Sequence, residues 1–294
     1  MTKISGIFAA SMSVLNSDLS LNIEKTIDHA EKLIDQGCHG TAIFGSTGQA
    51  QLIPVSEKIK LLNQLSKSKY KDKHLIGTGL NSLNETINFM KIAISLNLKK
   101  FLIMPPAYYN YSDVEVIEFY SRIISSVPEC KIILYNFEKL CGYKFSIDCV
   151  NKLVKKFPSQ IVGVKDSSYN LFDKLKLENF SIFPGSELKL LKGLQLGCSG
   201  IITATCNVTA KLSRKVYDDF LSGSKEIDDQ KLCDVRKVFD KYNLISGLHT
   251  FCSEENEIFL NILPPLRLLN EMEKRDLLNN LKNLNFNPQS KKAA

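Results

Sequence analysis

The sequence lacks the patterns that identify metal-binding and disulfide-stapled proteins. It contains eight cysteines, yet none forms a Cys-x-x-Cys pair or stands beside a histidine cluster with metal-ligand spacing. We therefore expect free thiols that pack in the core. Neither a metal nor any other cofactor is expected.

Long apolar runs are also missing. No window approaches the roughly 18 continuous apolar residues of a membrane helix. Residues 1–5 do not resemble the apolar segment of a signal peptide. The sequence therefore predicts a cytoplasmic protein without membrane association.

Basic clusters interleaved with aromatic residues are absent too. The chain carries 38 Lys and Arg against 31 Asp and Glu, a net charge of +7. The lysines alternate with acidic residues along helix-like stretches such as 57–73, a pattern typical of solvated helix faces. No signature of a nucleic-acid-binding fold occurs, so we expect no nucleic-acid partner. The mild positive charge suits a small anionic substrate.

What the sequence does contain is a regular alternation of short apolar runs and longer amphipathic segments. Most runs are continuously apolar, as is typical of parallel strands covered on both faces. The segment 23–34 shows the helical period near 3.6. This alternation predicts βα units around a parallel sheet. The eight runs cover residues 6–10, 41–44, 75–78, 101–104, 131–134, 161–164, 181–183 and 200–203.

Eight strands with seven intervening helices predict closure of the sheet. We therefore expect an α/β protein of the (β/α)8 TIM-barrel class with a C-terminal helical extension, which a length of 294 residues allows. The barrel is expected within residues 1–223. The helical segment 224–294 is expected to pack on the barrel wall, with Gly247 separating its helical stretches.

Lys165 is the first candidate for catalysis. Active sites of α/β barrels lie after the carboxyl ends of the strands, and Lys165 directly follows the apolar run 161–164. Burial there disfavours the charged ammonium. A neutral amine can attack a ketone to form an imine, which when protonated stabilises a neighbouring carbanion. Taken alone, however, a lysine in this position is more often exposed and paired with a neighbour such as Asp166.

Two other strand ends carry polar groups that suit a keto acid. The loop 45–48 supplies the hydroxyls of Ser46 and Thr47, and its two glycines allow backbone N–H groups to face a carboxylate. Tyr135 follows the fifth run and can pass protons to and from a carbinolamine. Each motif alone also fits a structural role, as a polar turn or a barrel-lining aromatic. Their position at one end of one barrel favours a shared active site.

Together these motifs resemble the family of Schiff-base aldolases and lyases that includes dihydrodipicolinate synthase and N-acetylneuraminate lyase. The similarity extends over roughly residues 6–208 and follows the family's order and spacing. Its most specific parts are Gly-Ser-Thr-Gly at 45–48, Tyr-Tyr at 108–109, Tyr-Asn at 135–136, Gly-Val-Lys-Asp at 163–166 and Gly-Ser-Glu at 185–187.

The resemblance implies a cofactor-free reaction in which Lys165 forms the imine and Tyr135 moves protons. Ser46 and Thr47 would hold the carboxylate of pyruvate. Tyr109 would reach into the site of a neighbouring subunit, which implies a homo-oligomer, either a dimer or a dimer of dimers. The further substrate-site positions that the resemblance implies are Gly48, Gly185, Glu187, Ile202 and Leu140.

Departures from the family pattern concern the second substrate. Dihydrodipicolinate synthases have an arginine where this chain has Leu140, and leucine cannot replace the bidentate recognition of a carboxylate by a guanidinium. Lys139 is a weak substitute, because a lysine beside Glu138 is more often an exposed ion pair. Glu187 suits sugar hydroxyls, as in the neuraminate lyase and 2-keto-3-deoxy acid branch. Leu188 stands where sialic acid lyases carry a second acid, which argues against sialic acid itself.

We therefore expect a lyase or aldolase that cleaves or forms a 2-keto-3-deoxy acid, with pyruvate as the imine-bound half and an aldehyde as the other. One alternative is dihydrodipicolinate synthase proper, which condenses pyruvate with aspartate semialdehyde. Another is a catalytically silent barrel that binds a keto acid. Glu138 and Gln49 leave that reading open, since they replace a proline and a glutamate common in the family. Retention of Lys165 and Tyr135 favours an enzyme.

Overall fold

Each predicted apolar run forms a β-strand in the computed structural model, which describes residues 3–288. The strand bounds differ from the predicted runs by at most two residues. The fifth and sixth strands extend two residues further than predicted, so that Tyr135 and Lys165 lie inside strands rather than after them. The strands are Gly6–Ala10 (β1), Gly40–Ile43 (β2), His74–Gly77 (β3), Lys100–Ile103 (β4), Lys131–Asn136 (β5), Ile161–Asp166 (β6), Ser181–Pro184 (β7) and Gly200–Thr203 (β8).

All strand pairs are parallel, and the sheet runs in the order β7-β6-β5-β4-β3-β2-β1-β8. Ser199, just before β8, joins the two ends of this sheet. Its N–H donates to the carbonyl of Ile182 at 2.8 Å, and the N–H of Ile182 donates to the Ser199 hydroxyl at 3.3 Å. The prediction of a (β/α)8 TIM barrel with a C-terminal helical extension is confirmed.

Helices cover the outside of the barrel. Asn22 caps the first of them by accepting the N–H of Lys25, and Gly37 and Gly197 have the positive φ of 118° and 89° expected just after helix ends. The helices are Ile23–Asp35 (α1), Val55–Leu65 (α2), Leu83–Ser95 (α3), Asp113–Ser126 (α4), Glu138–Cys141 (α5), Ile147–Lys156 (α6), Leu190–Gln195 (α7), Cys206–Leu221 (α8), Gln230–Phe239 (α9), Leu244–Ser253 (α10) and Glu271–Asn283 (α11).

The prediction of seven intervening helices is wrong at one connection. The segment 167–180 between β6 and β7 contains no helix. The Asp166 carboxylate accepts the N–H groups of Tyr169, Leu171 and Phe172 at 2.9, 2.8 and 2.9 Å. These bonds compete with the helical pattern and hold the connection as a series of turns at the barrel mouth.

Apolar side chains from the strands fill the barrel interior. Tyr135, which is 4% exposed, forms the upper end of this interior cluster. A larger cluster packs between the strands and the surrounding helices. The interior is therefore a packed core whose upper end is the mouth formed by the carboxyl ends of the strands. The interior cluster comprises Phe8, Ala42, Leu75, Leu102, Ile133, Tyr135, Phe183 and Ile202.

The C-terminal extension packs on the mouth of the barrel as well as on its side. Val235 and Phe239 of α9 share one buried cluster with Met12 and Ala204, which follow β1 and β8. The predicted boundary after residue 223 falls between α8 and α9, and residues 289–294 lie outside the described part. Among the helices of the described residues, none combines the length and apolarity needed to cross a bilayer.

The sequence predicted that Gly247 separates two helices, and this prediction is wrong. Gly247 lies inside α10, where an added Cβ would lie 3.5 Å from the Phe239 ring. This is an ordinary van der Waals distance, so the glycine packs against α9 without a steric need for the missing side chain. The helix therefore continues through a glycine because tertiary packing compensates for its low helix propensity.

Closure of the barrel makes a prediction about Gly200. Its φ is 139°, and an added Cβ would lie 1.9 Å from the carbonyl oxygen of Gly6 on the paired strand. Gly197 also has a positive φ of 89°, but an added Cβ there meets nothing within 4 Å. Gly200→Ala should lower the free energy of unfolding by about 3 kcal/mol and Gly197→Ala by about 1 kcal/mol. Chemical denaturation measures both, and equal losses would contradict the close approach.

Candidate active site

The carboxyl ends of β5 and β6 bring two matched pairs of residues together. Tyr135 lies opposite Lys165, and Asn136 lies opposite Asp166. Because side chains alternate along a strand, the first pair points into the barrel and the second pair points outward. Lys165 is 3% exposed, and its Nζ lies 4.1 Å from the centroid of the Tyr135 ring. The predicted imine-forming lysine and proton-transfer tyrosine are thus in contact.

A β-bulge in β6 sets this register. Ile132 pairs with Ile161, but the next residue, Ile133, pairs with Gly163, which leaves Val162 as the extra residue. Gly163 approaches β7 so closely that an added Cβ would lie 2.5 Å from the carbonyl oxygen of Ser181. The glycine before the lysine motif therefore has a packing reason, since it lets β6 and β7 pair at the mouth.

Asp166 does not pair with Lys165, so the alternative interpretation of an exposed ion pair is wrong. The Asp166 carboxylate is fully buried and accepts the Asn136 side-chain amide at 2.8 Å, besides the three backbone N–H groups of the β6–β7 connection. Within the described residues, no carboxylate forms a salt bridge with Lys165. The amine is therefore available to a ligand in the cavity.

The turn after β2 places its polar groups beside Tyr135. The Ser46 hydroxyl lies 3.0 Å from the Tyr135 hydroxyl, and Thr47 is 4% exposed. The N–H groups of Gly48 and Gln49 donate to carbonyls within the turn at 3.1 and 3.0 Å. Among the described residues, those of Ser46 and Thr47 have no acceptor. Two hydroxyls and two free N–H groups make a site suited to a carboxylate.

One open cavity of about 650 Å³ joins these groups. Its walls include the side chains of Ser46, Thr47, Tyr135 and Lys165, together with Gly185 at the end of β7. Gly185 meets the wall so tightly that an added Cβ would lie 2.3 Å from the Ser167 hydroxyl. The cavity is large enough for a small acid with several carbons beyond its reacting carbonyl. Of the predicted positions, these five therefore face a common space.

Glu187 has a different role from the predicted one. Its carboxylate is fully buried, accepts the hydroxyls of Thr203 and Thr209 at 2.8 and 3.1 Å, and lies 3.0 Å from Nη1 of Arg236. It does not line the cavity. The expectation that it contacts substrate hydroxyls is corrected, because its acceptor positions are occupied by protein donors.

Arg236 is one of several cavity residues that the sequence did not predict. It lies on α9, and its guanidinium lines the cavity while Nε donates to Asp240 at 2.8 Å. Burial disfavours its charge, but the nearby carboxylates of Glu187 and Asp240 outweigh this effect and raise its pKa. The sequence showed only an arginine in an amphipathic helix. Nothing in that local pattern places it at the barrel mouth.

Three further predicted positions lie outside the cavity wall of the single chain. Gly48 lies in the turn behind the site, where an added Cβ would lie 2.9 Å from the Ser11 carbonyl. Ile202 is fully buried below Tyr135 in the barrel interior. Tyr109 is 68% exposed and packs edge-on against Tyr108 at 5.2 Å. The proposed contribution of Tyr109 thus depends on a partner chain.

The short helix α5 carries the position where the family arginine is missing. Leu140 is 42% exposed and does not line the cavity, so it takes no part in binding within the single chain. Lys139 does line the cavity. The expected ion pair of Lys139 with Glu138 is not formed, because Glu138 pairs with Lys144 at 2.8 Å. Lys139 therefore lines the cavity without an ion pair to its neighbour Glu138.

The role of Asp166 can be tested by a change of one atom type. Asp166→Asn replaces a carboxylate oxygen by an NH2 group that faces backbone N–H donors. We expect a loss of about 2 kcal/mol in the free energy of unfolding. Asp173→Asn, an exposed position in the same connection, is the matched control and should change stability by less than about 0.5 kcal/mol. Equal stabilities of the two variants in urea would refute the role given to Asp166.

Comparisons with known proteins agree with this geometry. The sequence model of the dihydrodipicolinate synthetase family matches residues 3–284. A 4-hydroxy-tetrahydrodipicolinate synthase from Prochlorococcus marinus is 30% identical over 203 residues, which are 67% of this chain and 66% of the relative. A 2-dehydro-3-deoxy-D-gluconate/2-dehydro-3-deoxy-phosphogluconate aldolase from Picrophilus torridus is 25% identical over 234 residues, 76% of this chain and 85% of the relative.

The solved structures support the same assignment at the level of the fold. The crystal structure of dihydrodipicolinate synthase from Aquifex aeolicus superposes with a TM-score of 0.88 at 21% identity, and the match covers 98% of this chain and 100% of that one. The family match spans nearly the whole chain, barrel and extension alike. The resemblance found in the motifs is thereby confirmed, and the chain belongs to the dihydrodipicolinate synthetase family of lyases and aldolases.

Proposed function

We propose that the protein is a lysine Schiff-base lyase that cleaves or forms a 2-keto-3-deoxy acid, with pyruvate as the imine-bound half. The observation that carries the proposal is the contact of the Lys165 amine with the Tyr135 ring, while the Tyr135 hydroxyl bonds to Ser46 at 3.0 Å. An amine, a phenol and an anion-binding turn thus meet in one cavity. No simple binding site needs this combination.

Binding begins at the turn after β2. The substrate carboxylate takes the hydroxyls and free N–H groups of Ser46 and Thr47, which places the adjacent ketone against Lys165. The lone pair of the Lys165 nitrogen attacks the ketone carbon, and a proton moves from nitrogen to oxygen to give a carbinolamine. Tyr135 passes a second proton to the departing hydroxyl. Water leaves, and a protonated imine remains on Lys165.

The imine then drives cleavage of the carbon–carbon bond. Tyr135, acting with Ser46, accepts the proton of the C4 hydroxyl, and the electrons of the C3–C4 bond flow into the imine. An aldehyde departs and an enamine of pyruvate stays on Lys165. Protonation of C3 and hydrolysis release pyruvate and restore the amine. The reverse sequence forms the bond from pyruvate and an aldehyde.

The far side of the cavity supports a polar, oxygen-rich second half of the substrate. Lys139, Lys189 and Arg236 lie there together with the hydroxyls of Ser167 and Ser168. Such groups suit the hydroxyls and anionic end of a 2-keto-3-deoxy acid. The similarity to the Picrophilus torridus aldolase, at 25% identity, points in the same direction.

Condensation of pyruvate with aspartate semialdehyde is the second candidate function. It is favoured by the similarity to the Prochlorococcus marinus synthase and by the position of Lys139, which could receive a second carboxylate. A lysine offers a point charge rather than the planar fork of the missing arginine. We therefore rank it below the keto-deoxy acid reaction. A silent keto-acid-binding barrel ranks third, since binding alone requires neither Lys165 nor Tyr135.

An oligomer is part of the proposal. Tyr108 and Tyr109 present two aromatic rings that are 91% and 68% exposed beside the barrel mouth, and Tyr108 has a φ of 94°. Exposed aromatic pairs on a strained loop are typical of contact surfaces. In a dimer, Tyr109 would extend the proton-transfer chain of the partner's site, as the family resemblance implies.

The imine itself is the first test. Incubation with pyruvate and borohydride should reduce the imine to a stable adduct, which peptide mass mapping should locate on Lys165. Lys58 is an internal control, because it is a second buried lysine whose pKa burial lowers to about 8, but its Nζ donates to the Thr78 carbonyl and it lies outside the cavity. Lys165→Ala should give no adduct. An adduct on Lys58, or none in the native protein, would show that the proposed mechanism is wrong.

A substrate panel tests the second half of the reaction. We expect pyruvate release from 2-keto-3-deoxy acids and negligible turnover with pyruvate plus aspartate semialdehyde. Lys139→Met should raise KM for acids with an anionic far end by about two- to fivefold, with little change in pyruvate trapping, because the exposed charge is screened by solvent. Lys192→Met, an exposed change on α7, is the control. Faster turnover with the semialdehyde than with every panel acid would reverse the ranking.

A further inference from the structure

The anion-binding turn is tied to the C-terminal extension by one buried side chain. Gln49 closes the turn and is 3% exposed. Its Oε1 accepts the N–H of Leu263 at 2.8 Å, and its Nε2 lies 3.3 Å from Nε2 of His249. Nδ1 of His249 lies 3.0 Å from the carbonyl oxygen of Phe259. The side chain of Gln49 therefore links the turn to the C-terminal extension at two points, Leu263 and His249.

These hydrogen bonds permit only one arrangement of protons on Gln49 and His249. Because Oε1 of Gln49 accepts an N–H, the amide must direct its NH2 group at His249. Nε2 of His249 is then the acceptor, so the ring proton lies on Nδ1 and is donated to the Phe259 carbonyl. The imidazole is neutral in this arrangement. Every polar atom of Gln49 and His249 that takes part has a partner of the opposite kind.

The surroundings of His249 also keep it neutral. The ring is fully buried, and burial lowers its pKa against the opposing effect of the Phe259 carbonyl. On the other side of the Phe259 ring, at 5.1 Å, lies His29 of α1, whose pKa burial lowers to about 4. His29 and Phe259 line a small cavity whose other titratable groups are Lys32 of α1, Cys252 of α10 and Glu255, which follows α10.

The backbone of Gln49 shows why this anchoring matters. Its φ of 53° is left-handed, an unusual conformation for a residue with a side chain, and its N–H donates to the Ser46 carbonyl at 3.0 Å. This bond closes the turn in which Ser46 and Thr47 line the cavity. The strained residue needs support, and its side-chain contacts shown here come from Leu263 and His249.

We propose that Gln49 and His249 are positioning residues, through which the C-terminal extension holds the carboxylate-binding turn in its binding-competent form. Neither side chain touches the substrate. The extension thereby controls the affinity for the keto acid rather than the reactivity of Lys165. The inference rests on the proposed function only in taking the turn as the carboxylate site.

The first experiment compares Gln49→Leu with the native enzyme. The half-saturating pyruvate concentration for borohydride trapping should rise about tenfold, because the leucine leaves two buried polar partners unsatisfied and frees the turn. The adduct yield at saturating pyruvate should stay that of the native enzyme. Gln64→Leu on the exposed face of α2 is the matched control and should leave both quantities unchanged. A loss of yield without a change in half-saturation would overturn the inference.

Gln49→Glu gives a pH signature that a merely structural residue would not produce. The new carboxyl group can still accept the N–H of Leu263, but it bonds to Nε2 of His249 only when a proton lies between the two atoms. The new carboxylate raises the pKa of the His249 imidazole in this variant. The bond between the new carboxyl group and His249 is therefore intact at low pH, and the turn loosens as pH rises through that pKa. Pyruvate affinity of this variant should fall by about tenfold across that transition. The native enzyme and Gln64→Glu should lack it, and identical profiles for all three would refute the role of His249.

Amide hydrogen exchange separates this inference from the proposed function. Peptides that cover residues 45–49 should exchange faster in Gln49→Leu than in the native protein, whether or not pyruvate forms an imine. If the native protein fails to trap pyruvate but the turn loosens as expected, the proposed reaction is wrong and the anchoring stands. Unchanged exchange in the turn would remove the anchoring itself.

Discussion

The structure of the site depends on the contact between the Lys165 amine and the face of the Tyr135 ring. A buried amine without a carboxylate partner is costly in free energy unless its surroundings supply other favourable contacts. Here the ring face lies 4.1 Å from Nζ, and the open cavity supplies space for water or substrate. The contact exists only because β5 and β6 pair in one register, which the bulge at Val162 fixes. The strand pairing that builds the barrel therefore also sets the distance between Lys165 and Tyr135.

Neighbouring residues at the ends of β5 and β6 face opposite sides of the sheet. Tyr135 and Lys165 face the cavity, whereas their neighbours Asn136 and Asp166 face the opposite way and bond to each other at 2.8 Å. The Asn136 side chain also bonds to Asn170, and Asp166 holds the β6–β7 connection that walls the cavity. Tyr135 and Lys165 are therefore held in place without a hydrogen bond between them. The hydrogen bond between the buried side chains of Asn136 and Asp166 holds the two strand ends together on the opposite face of the sheet.

The sequence alone was sufficient to predict most of the barrel and the centre of the site. Continuous apolar runs identified all eight strands, and the rule that strand ends meet at one mouth brought Ser46, Tyr135 and Lys165 together. It failed at the β6–β7 connection, where side-chain acceptors replaced a helix. It also misassigned Glu187, because the competitor for that carboxylate, Arg236, is 49 residues away in sequence. Local patterns cannot show which distant donor reaches a buried acid first.

The misassignment of Glu187 arises where the C-terminal extension meets the barrel mouth. Arg236 of α9 reaches the cavity wall, and His249 of α10 reaches the turn behind the carboxylate site. The strands hold the groups that are proposed to form the imine, while the extension contacts the cavity wall and the turn after β2. A change in α9 can therefore alter the wall that meets the second substrate without moving Lys165. Such a separation is consistent with sequence relatives that are named for different reactions.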